Sequence, residues 1–187
     1  FQILMLGLSS AGTTTTLYRL RNDNTLDESV TASPNSGFNI VTVPYKKKLN
    51  FTLWDVSVSA KDTIRPLWRN FLVNTDAVMF VVDSSDRDRI RQVRNTLHEL
   101  FSDNAGDDGL TIPGECILLV LANKQDLPNS MNAVEMADKL SLHDLKQHKW
   151  LIQPACALTG EGLFEGFHWV CSQVVGEESG GSGDSSP

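Results

Sequence analysis

Gly7-Leu8-Ser9-Ser10-Ala11-Gly12-Thr13-Thr14 follows an apolar run and leads into a helical pattern. This is the frame of a phosphate-binding loop, G-x-x-x-x-G-K-[ST], with Thr13 in the lysine position. Glycines let backbone N–H groups wrap a phosphate, and the N-terminus of the following helix favours negative charge there. Gly7, Ser10, Ala11, Gly12 and Thr13 are therefore candidate phosphate contacts, and the Thr14 hydroxyl is a candidate magnesium ligand. Two further polar groups stand at the ends of apolar runs: Asn123-Lys124-Gln125-Asp126, and Cys156-Ala157-Leu158. The first, taken alone, also reads as an ordinary polar turn between a strand and a helix.

These residues need elements to hold them. Gln2–Leu8, Ala77–Val82 and Ile117–Ala122 are nearly continuous apolar runs, the pattern of strands buried on both faces, and Leu151–Ala155 is a weaker one. Ile40–Tyr45 and Leu49–Val56 flank Lys46-Lys47-Lys48 and predict an antiparallel hairpin with a solvated turn. Pro44 cannot donate to a ladder, so its strand belongs at a sheet edge. Helical stretches are expected at Gly12–Arg21, Asp62–Phe71, Asp86–Phe101, Ala133–Leu140 and Leu163–Val174, and a loop at Asn104–Glu115. Strands alternating with helices predict an α/β fold with a mostly parallel sheet and one antiparallel edge strand, helices on both faces. Ligands bind such sheets at the carboxyl ends of the strands.

The 187 residues suffice for one domain, expected over 1–175, with a Gly/Ser/acidic tail expected to be disordered over 176–187. No apolar run reaches the roughly 18 residues a membrane span needs. A net charge of −7 argues against a nucleic-acid partner. Cys116, Cys156 and Cys171 have no metal-ligand spacing, so no metal beyond magnesium is indicated, and free thiols point to a cytoplasmic setting. Phe1 already opens a strand, so any lipidated or amphipathic membrane anchor is expected upstream of it.

The blocks Trp54-Asp55-Val56, Ile64-Arg65-Pro66-Leu67-Trp68, Phe80-Val81-Val82-Asp83-Ser84, Ala122 to Pro128 and Leu158 to Leu163 occur in order along the chain. With the loop at Gly7–Thr14, they make the chain resemble the Arf and Arf-like small GTPases of the Ras superfamily, over Phe1 to about Val175. The resemblance implies a P-loop fold with a six-stranded sheet and a GTP-dependent switch in signalling or membrane traffic, peripheral to membranes. It implies that Asp126 accepts hydrogen bonds from guanine N–H groups while Asn123 and the Lys124 stem frame the ring. The loop at Cys156 then offers the Ala157 N–H to the guanine oxygen. GTP or GDP with Mg2+ is the implied cofactor, with Thr14, Asn35 and Asp55 as metal contacts. Effectors and regulators are implied at the switch and interswitch surface, where Phe38 and Trp54 match an effector-facing aromatic patch.

The departures from the family pattern fall on the phosphate side. Thr13 is uncharged and too short to reach the β- and γ-phosphates. The loss of one or two charge-assisted hydrogen bonds costs roughly 2–6 kcal/mol of binding. Switch I, P-T-I-G-F-N in the family, reads Pro34-Asn35-Ser36-Gly37-Phe38-Asn39, so Asn35 replaces a magnesium-binding threonine. Switch II, W-D-V-G-G-Q in the family, reads Trp54-Asp55-Val56-Ser57-Val58-Ser59-Ala60, and the glutamine that orients water has no counterpart. Hydrolysis is expected to be weak or absent, with no catalytic residue assigned and binding retained through the guanine site. The alternative is a nucleotide-free pseudo-GTPase serving as a protein-interaction scaffold. Lys61, in the lengthened switch II, is a third possibility as a substitute phosphate contact. His98, His143, His148 and His168 are expected on helix surfaces, Trp150 and Trp169 in packing, and Asp83 and Ser84 as a helix N-cap.

Overall fold

The computed structural model describes residues 1–24, 38–45, 49–56, 72, 74–101, 112 and 115–176. The expected helix at Asp62–Phe71, Asn35, Lys46–Lys48, Ser57–Lys61, nearly all of the Asn104–Glu115 loop and the tail beyond Gly176 lie outside them.

Six strands form one sheet: β1 (Gln2–Gly7), β2 (Phe38–Tyr45), β3 (Leu49–Val56), β4 (Ala77–Asp83), β5 (Ile117–Asn123) and β6 (Trp150–Pro154). Their spatial order is β2-β3-β1-β4-β5-β6. Only β2 pairs antiparallel, with β3, and it takes the edge that Pro44 requires. The four α-helices of the described residues are α1 (Thr13–Asn24), α2 (Ile90–Leu100), α3 (Ala133–Lys139) and α4 (Leu163–Val175).

The alternation of side chains along each strand divides the core in two. Leu4, Leu6, Val78 and Phe80 enter one layer with Val93, Leu97 and Leu100 of α2. Ile3, Met5, Ala77 and Met79 enter the other with Leu17 and Leu20 of α1 and Phe167 of α4. The central strands are buried on both faces, so every position contributes, at about 1.5–3 kcal/mol per large apolar side chain. Gly166 lets α4 lie on the sheet, because a Cβ there would stand 3.1 Å from Leu119.

Helix α2 begins at Ile90, four positions later than its polar lead-in suggests. The Asp86 side chain accepts the Arg89 backbone N–H and ties off 86–89 as a turn. Asp83 and Ser84 therefore cap no helix, contrary to expectation. His148 is also not a surface residue: it is buried edge-on against Phe101, while His98 is half-buried on α2 and donates from Nε2 to the Leu140 carbonyl over 2.8 Å. Trp150 and Trp169 pack against the two layers as expected, and so does Trp54.

β1 lies between β3 and β4, so the chain departs in opposite directions on its two sides. That switch point opens a crevice at the carboxyl ends of the strands. Gly7, Val56, Asp83, Asn123 and Pro154 end five strands at this one edge.

Candidate functional site

The loop after β1 closes on itself through the Ala11 N–H, which donates to the Leu8 carbonyl over 3.1 Å. Ser10 has a left-handed φ of 68° and Gly12 a φ of 97°. A Cβ on Gly12 would run into Asn123 Nδ2, so this glycine is required by both conformation and space. Gly7 is required by space alone: a Cβ there would stand 2.6 Å from Thr13 Oγ1 and 2.7 Å from the Val81 carbonyl. The Thr13 side chain thus lies against the bare backbone of the first loop glycine.

Asn123 ends β5 and is 2% exposed. Its Nδ2 donates to the Ala11 carbonyl over 2.8 Å, and its Oδ1 accepts the Ala157 N–H over 2.9 Å. One amide therefore joins the β1 loop, the β5 end and the loop after β6. The Ala157 N–H, expected to face the guanine oxygen, donates to Asn123 Oδ1 in this structure.

Lys124 adopts a left-handed φ of 65°, and its Nζ donates to Asp83 Oδ2 over 2.6 Å. Asp83 also accepts the Ser85 hydroxyl and N–H, over 2.6 and 3.0 Å. Burial pushes the Asp83 carboxyl up, but the Lys124 and Ser85 hydrogen bonds outweigh it and hold the group below its usual range. The Ser84 hydroxyl donates to the Asn123 carbonyl over 2.6 Å, so this pair braces the β5 turn where a helix cap was expected.

Asp126 is different. It is exposed, and its carboxylate receives the Cys156 thiol over 3.2 Å. It lines a cavity of about 270 Å³ together with Gly12, Thr15, Asn123, Lys124 and Leu158. Leu158 is 74% exposed and forms an apolar wall at the rim. A mostly apolar cleft with one carboxylate in its lining suits a flat ring that carries N–H donors.

Across the site, Thr14 Oγ1 donates to Asp55 Oδ2 over 2.6 Å, and Asn39 Nδ2 donates to the same oxygen over 3.2 Å. A hydroxyl and a carboxylate brought together, with an amide orienting the carboxylate, are the hard oxygen donors that fit Mg2+. No cluster of three or more His, Cys, Asp or Glu occurs among the described residues, which therefore offer no all-protein cage. Mg2+ commonly takes only one or two protein oxygens, the rest coming from water and phosphate.

The structure thus brings together Gly7, Ser10, Ala11, Gly12, Thr13, Thr14, Asp55, Asn123, Lys124, Asp126, Cys156 and Ala157 at one sheet edge, while Asn35 lies outside the described residues. Asn39, Asp83 and Arg89 join this edge without having been singled out in the sequence for this role. Asn39 stood within the switch I block and Asp83 within the Phe80–Ser84 block, while Arg89 reaches this edge through Ser9, a partner distant in sequence.

The comparisons agree with this architecture. A profile of the ADP-ribosylation factor family matches residues 1–174. A solved structure of the Arl6 BBS3 small GTPase from Trypanosoma brucei, with bound nucleotide analogue GppNp, superposes with a TM-score of 0.73 at 30% sequence identity. The match covers 95% of this chain and 99% of that one. The strand order, the loop after β1 and a profile match from the first strand to the last helix lead to one conclusion: the chain belongs to the ADP-ribosylation factor family of small GTPases.

Proposed function

We propose that the chain binds guanine nucleotide, GDP or GTP, with Mg2+, through an intact base site and a weakened phosphate site, and hydrolyses GTP little or not at all. Asp126 carries this reading. Asn123, Lys124 and Asp83 are each engaged in bonds that hold the fold, so their presence is explained without a ligand. Asp126 holds nothing comparable. It is an exposed carboxylate lining an apolar cleft, and its partner among the described residues is a thiol, a weak donor. In that cleft it accepts the base N–H groups, with Leu158 and the Lys124 stem against the ring.

Gly7, Ser10, Ala11, Gly12 and Thr13 offer the phosphate cradle, and Thr14 and Asp55 hold Mg2+. The metal supplies charge neutralisation on the phosphates when bound. The absence of a P-loop lysine and of a switch II glutamine supports poor hydrolysis, because phosphoryl transfer depends on positioned charge. Effectors and regulators meet the interswitch strands β2 and β3, in a cytoplasmic, membrane-peripheral role.

The test is a titration of nucleotide-stripped protein with fluorescent GDP and GTP analogues, with and without Mg2+. Magnesium-dependent binding at micromolar concentration is the expected outcome. No binding at hundreds of micromolar would leave the second reading, a nucleotide-free scaffold. Thr13 and the architectural role of Asn123 favour that reading.

A further inference from the structure

Ser10 is a non-glycine residue in the left-handed region, a strained conformation that persists only where neighbours over-determine it. In many P-loops a lysine is at hand; here there is Thr13. Among the described residues, Arg89, from the turn before α2, is a cation that touches the loop. Its Nη1 donates to the Ser9 carbonyl over 3.0 Å. Asp86 holds the guanidinium in place, accepting from Nε over 2.5 Å while its other oxygen takes the Arg89 backbone N–H over 3.1 Å. The Arg89 side chain remains 38% exposed.

The Ser9 C=O and the Ser10 N–H belong to one planar peptide and point in opposite directions. Holding the oxygen toward Arg89 therefore aims the N–H the other way. A left-handed residue in a tight turn is how successive N–H groups form an anion-binding nest. Gly12 and Thr15 line the base cavity, and Ser9 and Ser10 are not part of that lining.

We propose that Arg89, clamped by Asp86, is a positioning residue of this P-loop: by holding the Ser9 carbonyl it turns the Ser10 N–H to the phosphates, a backbone contact that gains weight where Thr13 replaces the lysine. This rests on the nucleotide-binding reading above. Because the Ser9–Ser10 peptide does not line the base cavity, the effect falls on the phosphates rather than the base and is expected to be larger for GTP, with its additional phosphate, than for GDP.

The experiment measures GTP and GDP affinities and the Ser10 amide NMR shift on nucleotide addition, for the parent chain, Arg89→Gln and Arg89→Lys. Arg89→Gln is expected to weaken GTP roughly tenfold or more relative to GDP and to shrink the Ser10 shift. Arg89→Lys keeps the charge and is expected to retain most of the ratio; it also serves if the glutamine variant fails to fold. An unchanged ratio in Arg89→Gln, or equal loss of GTP in both variants, overturns the proposal while the nucleotide reading stands. A parent chain that binds neither nucleotide overturns both.

Discussion

Asn123 Nδ2 donates to the Ala11 carbonyl over 2.8 Å, joining the end of β5 to the loop after β1. The bond, with its counterpart to the Ala157 N–H, makes Asn123 a structural tie before it is a ligand contact. Asn123→Ala leaves two buried groups without partners, at roughly 1–3 kcal/mol each. Denaturant unfolding without nucleotide is expected to show that loss, and an unchanged midpoint would remove the tie from the account.

Asp126→Ala makes the opposite pattern. The side chain is exposed and bonded to a thiol, so folding stability should change by less than about 0.5 kcal/mol. Guanine-nucleotide affinity should fall by roughly tenfold to a hundredfold, as expected for hydrogen bonds to a charged group. Calorimetric unfolding and nucleotide titration on the same preparation separate the two effects.

Thr13→Lys returns the missing ammonium to the loop. GDP and GTP are both expected to bind tighter, by tenfold or more, from one or two charge-assisted hydrogen bonds. If affinity does not rise, the phosphate site is limited by something other than the lost charge.

Thr14→Ala and Asp55→Asn each remove one hard oxygen donor from the pair that meets over 2.6 Å. Magnesium should strengthen GDP binding in the parent chain, and that enhancement should shrink by several-fold in either variant. The comparison is binding with Mg2+ against binding with a chelator.

Asp83 titrates below its usual value because the hydrogen bonds from Lys124 and Ser85 outweigh its burial. A depressed folded pKa contributes stability that is present above the unfolded value, about 3.9, and is lost as pH falls through the folded value. The parent chain should therefore lose stability on acidification below about pH 4 more steeply than Asp83→Asn, measured by denaturant midpoints across that range. Cys116 gives a second titration: burial, then the Asp76 charge, pushes its thiol up to about 12. At pH 8 it should remain unalkylated by iodoacetamide unless the chain unfolds.

The sheet and its order of elements were legible because their signals are local. Ile117–Ala122 is apolar at every position, as only a strand covered on both faces can afford, and Pro44 announced an edge. The loop frame and the Asn123–Asp126 block were legible because each lies within a few consecutive positions, which a resemblance can match. The tertiary structure decided what those residues do. Asn123 reads in sequence as a base contact and in the fold as a tie, because its partners stand at Ala11 and Ala157. Asp83 reads as a cap, yet its partner is Lys124, brought beside it by the parallel pairing of β4 and β5. Arg89 carries no motif at all; its link to Ser9 exists only because the turn before α2 packs beside the loop after β1. Side-chain type and period report the burial of a residue's own segment. Which distant polar group completes its hydrogen bonds is settled by the packing of segments far apart along the chain.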